Sequence, residues 1–291
     1  MKTAIALGTF DGVHIGHRAI INAAKAKAEG MGMEPMIYTF TAHPLALFNR
    51  QPPLLMTQTE RMAALGGMGC SLCADEFSAE YASTEPERFI KMLIERFNMG
   101  CAVAGFNYTF GRRGEGSVDT LNELGEKYGF AVAIVPPIMY KGEAVSSTRI
   151  RASLEEGNVK DAGAMLGTPY SITGPIIRNR GIGRTLDYPT ANIAGWEDRA
   201  VPMPGVYATR AAFGGAVYPA VTNIGRNPTV NGEHTTIETH MLGFDADIYG
   251  QMLRVEFIER IRGEIRFPNV QALAAQMKAD GEKARNILKN S

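Results

Sequence analysis

Residues 8–17 read GTFDGVHIGH, with His14 and His17 three positions apart around Gly16. Imidazole N–H groups donate to phosphate oxygens. Gly8, Gly12 and Gly16 let the backbone approach a phosphate closely, and a helix amino terminus adds free N–H groups and a favourable dipole. On a first helical turn the two histidines share a face. The chemistry this set suits is phosphate binding and transfer at phosphorus. Further on, VSSTRIR (145–151) puts the hydroxyls of Ser147 and Thr148 just ahead of Arg151, a set that suits a triphosphate. In PTAN, Thr190 and Asn192 are two apart, so an extended segment shows both to one side. A hydroxyl and a carboxamide oxygen are hard ligands for Mg2+. Glu238, in TIETH, is a strand carboxylate of the kind that serves as a general base. Phe48, Phe106, Tyr108 and Phe110 can frame a flat ring system. Each group also has a plain reading: surface imidazoles, a helix cap with solvated arginines, a turn after proline, an outward carboxylate, core aromatics.

The elements must bring these residues together. TAIALG (3–8), PMIYTF (35–40), CAVAGF (101–106) and FAVAIVPP (130–137) read as strands. Helical patterns alternate with them, from Gly16 to Glu29 and over 57–69, 86–97 and 118–129. Such alternation predicts a parallel sheet with right-handed crossovers, and ligands bind at the carboxyl edge of such sheets. A helical tail covers 146–167. From Thr168 the chain becomes strand-rich with short Gly, Pro, Asn and Asp turns, the pattern of an antiparallel barrel or sandwich. A last helix runs from about Val270 to Lys289. The expected domains are 1–167 and 168–291, with the boundary near Gly167.

Composition narrows the function classes. The 291 residues carry 30 Lys plus Arg against 30 Asp plus Glu, so no global charge draws the chain to nucleic acid or a membrane surface. No window approaches the ~20 apolar residues of a membrane span. Three cysteines, Cys70, Cys73 and Cys101, suggest a reducing, cytoplasmic setting. Cys70 and Cys73 form a CxxC, but a zinc site lacks its second ligand pair.

HIGH is shared by class I aminoacyl-tRNA synthetases and smaller nucleotidyltransferases. A synthetase also needs a KMSKS-like loop, which is absent, so the motifs favour nucleotidyl transfer. In order, GTFDGVHIGH, TFTAHP, GFNYTFG, VSSTRIR, PTANI, PGVYA, NIGRNPTV and IETHMLGFDADIYG resemble the prokaryotic bifunctional riboflavin kinase/FMN adenylyltransferases (FAD synthetases) over nearly the whole chain. The resemblance implies an α/β Rossmann-like nucleotidyltransferase domain followed by an antiparallel six-stranded β-barrel with a C-terminal helix. It implies phosphorylation of riboflavin to FMN by ATP, then adenylyl transfer from ATP to FMN, giving FAD and pyrophosphate. The implied partners are riboflavin, FMN and ATP, with Mg2+ as cofactor and neither nucleic acid nor membrane. Carried over by residue, Gly8, Phe10, His14, Gly16, His17, Ser147, Thr148 and Arg151 would bind ATP for adenylyl transfer. His14, His17 and Arg151 would be catalytic there. His43, Pro44, Phe48, Asn107 and Phe110 would line the flavin pocket. In the kinase, Gly174, Gly183, Thr190 and Asn192 would hold ATP and Mg2+, the metal at Thr190 and Asn192, with Glu238 as base. Three positions depart from the family pattern: Ala42 and Asp187 replace a proline and a glycine, and Asn179 stands at a loop glycine. Asp187 keeps open an alternative in which kinase activity is weakened or lost. A flavin-binding storage or regulatory protein is a rival, against which intact phosphate clamps and a base argue.

Overall fold

The computed structural model describes residues 1–178, 190–229 and 232–290. It forms two compact units, Met1–Ser147 and Thr148–Ser291. The helix just ahead of Gly167 packs on the barrel, and the second compact unit begins before the change in sequence pattern.

The first unit runs β1 (Thr3–Leu7), α1 (Ile15–Met31), β2 (Glu34–Phe40), a 3-10 turn (Pro44–Phe48), α2 (Gln58–Gly66) and β3 (Ser71–Asp75). It continues with α3 (Ala79–Ala82), α4 (Pro86–Phe97), β4 (Met99–Gly105), α5 (Val118–Tyr128), β5 (Ala131–Val135) and a hairpin of β6 (Met139–Tyr140) and β7 (Glu143–Ala144). The main sheet has the order β3-β2-β1-β4-β5, and its pairings are parallel. This is a Rossmann-like sheet. Both faces are covered, which is why β1 and β4 are unbroken apolar runs. Ile5 and Leu7 enter one core with Ile90 and Leu93 of α4 and Leu121 of α5. Ala4 and Ala6 enter the other with Ile21 and Ala24 of α1 and Leu65 of α2. The order changes direction between β1 and β4, so the segments after β2, β1 and β4 converge on one edge. Helix α2 opens on a capping box: Glu60 N donates to Thr57 Oγ1 (3.2 Å) and Thr57 N to Glu60 Oε2 (2.8 Å). Strand β3, which the sequence pattern does not announce, carries Cys73, and all three cysteines are free thiols.

The second unit contains α6 (Ser147–Glu155, its first residue shared with the first unit), α7 (Val159–Leu166), β8 (Tyr170–Ile177), β9 (Ala191–Ile193), β10 (Gly205–Phe213), β11 (Ala216–Thr229), β12 (Gly232–Met241), β13 (Met252–Arg262) and α8 (Val270–Lys289). The six strands close a barrel in the order β10-β11-β12-β9-β8-β13, with antiparallel pairing. Tyr170, Tyr207, Ile224, Ile237 and Phe257 are buried. A hydroxyl chain crosses the same wall: Thr209 Oγ1 to Thr222 Oγ1 at 2.8 Å, and Thr222 to Thr239 at 3.0 Å. These residues alternate with outward ones along β10, β11 and β12. Outside, Val206, Ala208 and Ile261 pack against Ala284 of α8. Asp280 of α8 is 3% exposed. It accepts from Arg262 Nη2 at 2.7 Å and from Nε at 3.0 and 3.1 Å, with Gln276 Nε2 at 2.9 Å. Among the described residues no helix is long and apolar enough to cross a membrane.

The Arg262–Asp280 pair fixes α8 to the barrel. Asp280→Ala leaves a mostly buried guanidinium unpaired and should cost about 3 kcal/mol, whereas the double change Arg262→Met with Asp280→Leu should recover most of that. Denaturant unfolding followed by Trp196, the single tryptophan, checks this. A double variant as unstable as Asp280→Ala would mean that the charges are not what holds the helix.

Candidate active sites

In the first unit the loop from β1 to α1 is built around strained backbone. Phe10 and Val13 adopt positive φ, 52° and 40°, unusual for bulky residues. Burial holds them there, since both are 0% exposed. A side chain at Gly8 would lie 3.0 Å from the Phe10 ring, and one at Gly16 3.1 Å from the His14 ring. A side chain at either place would press on these rings, which would have to yield by a few tenths of an ångström.

The loop delivers the two histidines to the start of α1. His14 is the N-cap, and its Nδ1 accepts from His17 N at 3.2 Å. An accepting Nδ1 leaves the proton on Nε2, so His14 keeps a donor. The rings stack with centroids 3.5 Å apart and planes 16° apart, and Phe10 meets His17 edge-on at 5.4 Å. His17 Nδ1 is buried without a hydrogen-bond partner. Burial lowers the His14 pKa from 6.5 to about 4. Burial, then the charges of His14 and Arg61, push His17 well below its ordinary value. Both imidazoles are therefore neutral near pH 7. Ser147 Oγ donates to Asp11 O at 2.9 Å, so Ser147 reaches the same loop. Arg151 is one helical turn beyond Ser147 on α6 and is buried. Thr148 and Arg151 belong to the second compact unit.

The proposed flavin residues fall on two neighbouring segments. His43 caps the 3-10 turn after β2, accepting from Leu45 N at 3.2 Å, and Pro44 is the turn's first residue. Phe48 ends the turn and is 54% exposed. Asn107, after β4, is exposed. Phe110 differs: it is 5% exposed, in the core with Phe89, and stacked against Tyr108 with centroids 5.6 Å apart. It is part of the core. The sequence reading passed over Arg61, which is buried and donates to Thr9 O, Thr39 Oγ1, Phe40 O and Thr41 O. Backbone acceptors leave no mark in a sequence, and an arginine inside TQTERM reads as a solvated helix position.

In the barrel, register assembles the second site. Glu238 of β12 faces Asn192 of β9 on one side and Asn223 of β11 on the other. Asn223 opens the NIGRNPTV motif, but only the ladder places it beside Glu238. Asn192 is 8% exposed. Glu238, Asn223, His240 and Thr190 line a cavity of about 350 Å³ walled by Leu273 and Met277 of α8. A second cavity of about 230 Å³ also reaches Thr190, with Ala191, Ile176, Phe244, Asp247 and Tyr249. Burial raises the pKa of Glu238, which strengthens it as a base. Gly174 has a different duty from phosphate approach: a side chain there would lie 2.0 Å from Ala194 O. Gly183, Asn179 and Asp187 lie outside the described residues. Among the described residues no cluster of His, Cys, Asp and Glu could hold a metal. Thr190 and Asn192 offer only neutral oxygens, which fits an ion already carried by phosphates.

A FAD synthetase family model matches residues 1–149, and a riboflavin kinase model matches residues 166–288. The chain belongs to the bifunctional riboflavin kinase/FMN adenylyltransferase family. The relative of that name from Bacillus subtilis is 35% identical over 99% of this chain and 93% of its own length. The one from Escherichia coli K12 is 32% identical over 97% and 92%. A crystal structure from Streptococcus pneumoniae, titled a macrolide-efflux protein, is 33% identical with a TM-score of 0.90 over 98% of this chain and 94% of its own.

The buried histidines have a consequence for acid stability. An unfolded histidine binds a proton near pH 6.5, while folded His14 refuses it down to about pH 4. The contribution is intact above pH 6.5 and is lost as pH falls toward 4, by up to about 1.4 kcal/mol per pH unit for one group. His14→Asn keeps a capping side chain without the titration. Urea unfolding of the first unit across this range should show a shallower acid slope for the variant. An unchanged slope would remove His14 as the titrating group.

Proposed function

We propose that the chain makes FMN from riboflavin and ATP in its barrel unit and FAD from FMN and ATP in its sheet unit. The observation that carries this is the barrel ladder, where Glu238 and Asn192 are direct partners while Thr190 lines both cavities. A phosphate at Thr190 therefore borders a nucleotide space on one side and a flavin space on the other. The larger cavity is of ligand size, apolar toward α8 and polar at the strand wall.

In the kinase step Glu238 accepts the proton of the riboflavin 5′-hydroxyl. The oxygen then attacks the γ-phosphorus of ATP, and ADP leaves. Thr190 and Asn192 would hold a Mg2+ ion, which when bound supplies neutralisation of phosphate charge. Gly174 shapes β8 beside this wall, and Gly183 would belong to the phosphate loop. In the adenylyl step an FMN phosphate oxygen attacks the α-phosphorus in line, and pyrophosphate leaves. His14 and His17, neutral and stacked, donate to ATP phosphate oxygens without adding charge to the free site. Gly8, Phe10 and Gly16 shape that loop. Ser147, whose hydroxyl reaches this loop, is the residue of the VSSTRIR motif nearest it, and the family resemblance adds Thr148 and Arg151 to the triphosphate's ligands. His43, Pro44, Phe48 and Asn107 line the flavin side, with Phe110 in the core. Catalysis here is positioning and charge stabilisation, with no covalent intermediate on the protein. The domains of this reading are 1–167 and 168–291. Its use of ATP and its three free thiols support a cytoplasmic setting.

The direct test supplies riboflavin, ATP and Mg2+ and separates FMN from FAD by chromatography. Failure to form FMN from riboflavin, or FAD from supplied FMN, removes the corresponding half of the reading. Glu238→Gln matches the shape but cannot take the proton, so FMN formation should fall by about 10²–10⁴ while supplied FMN is still converted to FAD.

His17→Ala should do the reverse. Losing one donor to a transition-state phosphate costs about 2–4 kcal/mol, so FAD formation should fall at least about tenfold with riboflavin phosphorylation unchanged. Equal loss of both activities would overturn the assignment.

A further inference from the structure

Arg61 is 6% exposed and carries a charge that is expensive to bury. Asp11 attracts it through space. Its partners are oxygens of two different segments. Nη1 donates to Thr9 O at 2.6 Å and Thr39 Oγ1 at 3.1 Å. Nη2 donates to Phe40 O at 2.6 Å and Thr41 O at 3.2 Å. Thr9 lies in the loop that presents His14 and His17. Phe40 and Thr41 begin the segment that presents His43 and Pro44. These carbonyls stand where β1 and β2 run out, so the ladder no longer supplies each with an N–H partner. A Leu or Met at 61 would avoid burying a charge but would leave up to three carbonyls without this donor.

The geometry does more than satisfy acceptors. A guanidinium is planar and rigid, so its two nitrogens hold the segments at a fixed separation. The fork has a firm base, because Arg61 stands on the first turns of α2, anchored by the Thr57–Glu60 capping box. Thr39 Oγ1 adds a second link to Thr9 O at 3.3 Å. The fork also borders the gap between the loops, a cavity of about 70 Å³ lined by Thr9, Asp11, Thr41, His43 and Arg61 among others.

We propose that Arg61 is a positioning residue that couples the nucleotide loop to the flavin segment, so that either substrate, once bound, orders the subsite of the other. The inference rests on the reading of the first unit as the adenylyltransferase. It requires coupling between the two substrates, carried through one fork whose bonds to both segments are visible.

The test measures initial rates of FAD formation by the full chain over a grid of ATP and FMN concentrations. Turnover reports only the transfer site, so flavin held by the barrel unit does not enter. In the natural sequence the KM for FMN should fall about fivefold or more from low to saturating ATP. Arg61→Lys keeps the charge but places all its donors on one atom, which cannot span both segments. In that variant the ratio should drop to about one and kcat should fall about tenfold, with riboflavin phosphorylation unchanged. A purely structural role would lower kcat or raise both KM values and leave the ratio alone. Thr39→Val removes one fork partner and the second link, and should roughly halve the ratio; it decides the matter if Arg61→Lys melts the first unit. A ratio near one in the natural sequence, or an undiminished ratio in a folded variant, overturns the coupling. No FAD from the natural sequence would overturn the adenylyltransferase reading itself, and this inference with it.

Discussion

A β-strand shows alternate residues to opposite sides, and in the barrel this one constraint separates fold from chemistry. Thr222 and Thr239 turn inward and join Thr209 in a buried hydroxyl chain. Their neighbours Asn223 and Glu238 must then turn outward, beside Asn192 on the next strand. A slip of one residue in β12 would exchange Glu238 with Thr239, burying a carboxylate and spoiling both the core and the site. The threonine chain thus helps to set the register that aims Glu238. Helix α8, tied down by Arg262 and Asp280, converts the outward face into a walled cavity that keeps Glu238 half-dry and its proton affinity high.

The sheet unit solves a different problem. Its site lies on loops, where nothing like a ladder fixes geometry. Order comes from side chains that pin backbone: buried Phe10 and Val13 at positive φ, the His14 cap, and the Arg61 fork. The stacked imidazoles are affordable because both are neutral; two charges with ring centroids 3.5 Å apart in a buried setting would repel strongly. Burial that lowers their proton affinity is therefore also what permits the stacking.

Much of this was legible in the sequence where a residue's neighbours in space are also its neighbours along the chain. The apolar runs of β1 and β4 announce strands buried on two faces, Thr57 announces a helix start, and GTFDGVHIGH announces a strand-to-helix turn. The change of pattern after Gly167 announces the barrel. What stayed hidden depends on distant partners. Strand β3 is half-buried and follows a glycine pair, so SLCAD shows no clean period. Arg61 answers to backbone carbonyls, which any sequence would supply. Phe110 is an aromatic after a strand, and spacing alone does not divide core from pocket. Gly174 reads as a phosphate-loop glycine, but its neighbour Ala194 O, which follows β9, excludes any side chain.

The two sites differ in one chemical respect that their residues reflect. A hydroxyl is a poor nucleophile until its proton is withdrawn, so the kinase reaction needs a carboxylate at the attacking oxygen, and Glu238 stands where the ladder can deliver one. A phosphate monoester already carries nearly two negative charges at neutral pH, so its attack on ATP needs no base. What it needs is two polyanions brought together. A site for that reaction gains from donors that are neutral when empty and from a cation in its frame, and it would gain nothing from a carboxylate beside the attacking oxygen. His14 and His17 are such donors, and Arg61 is such a cation.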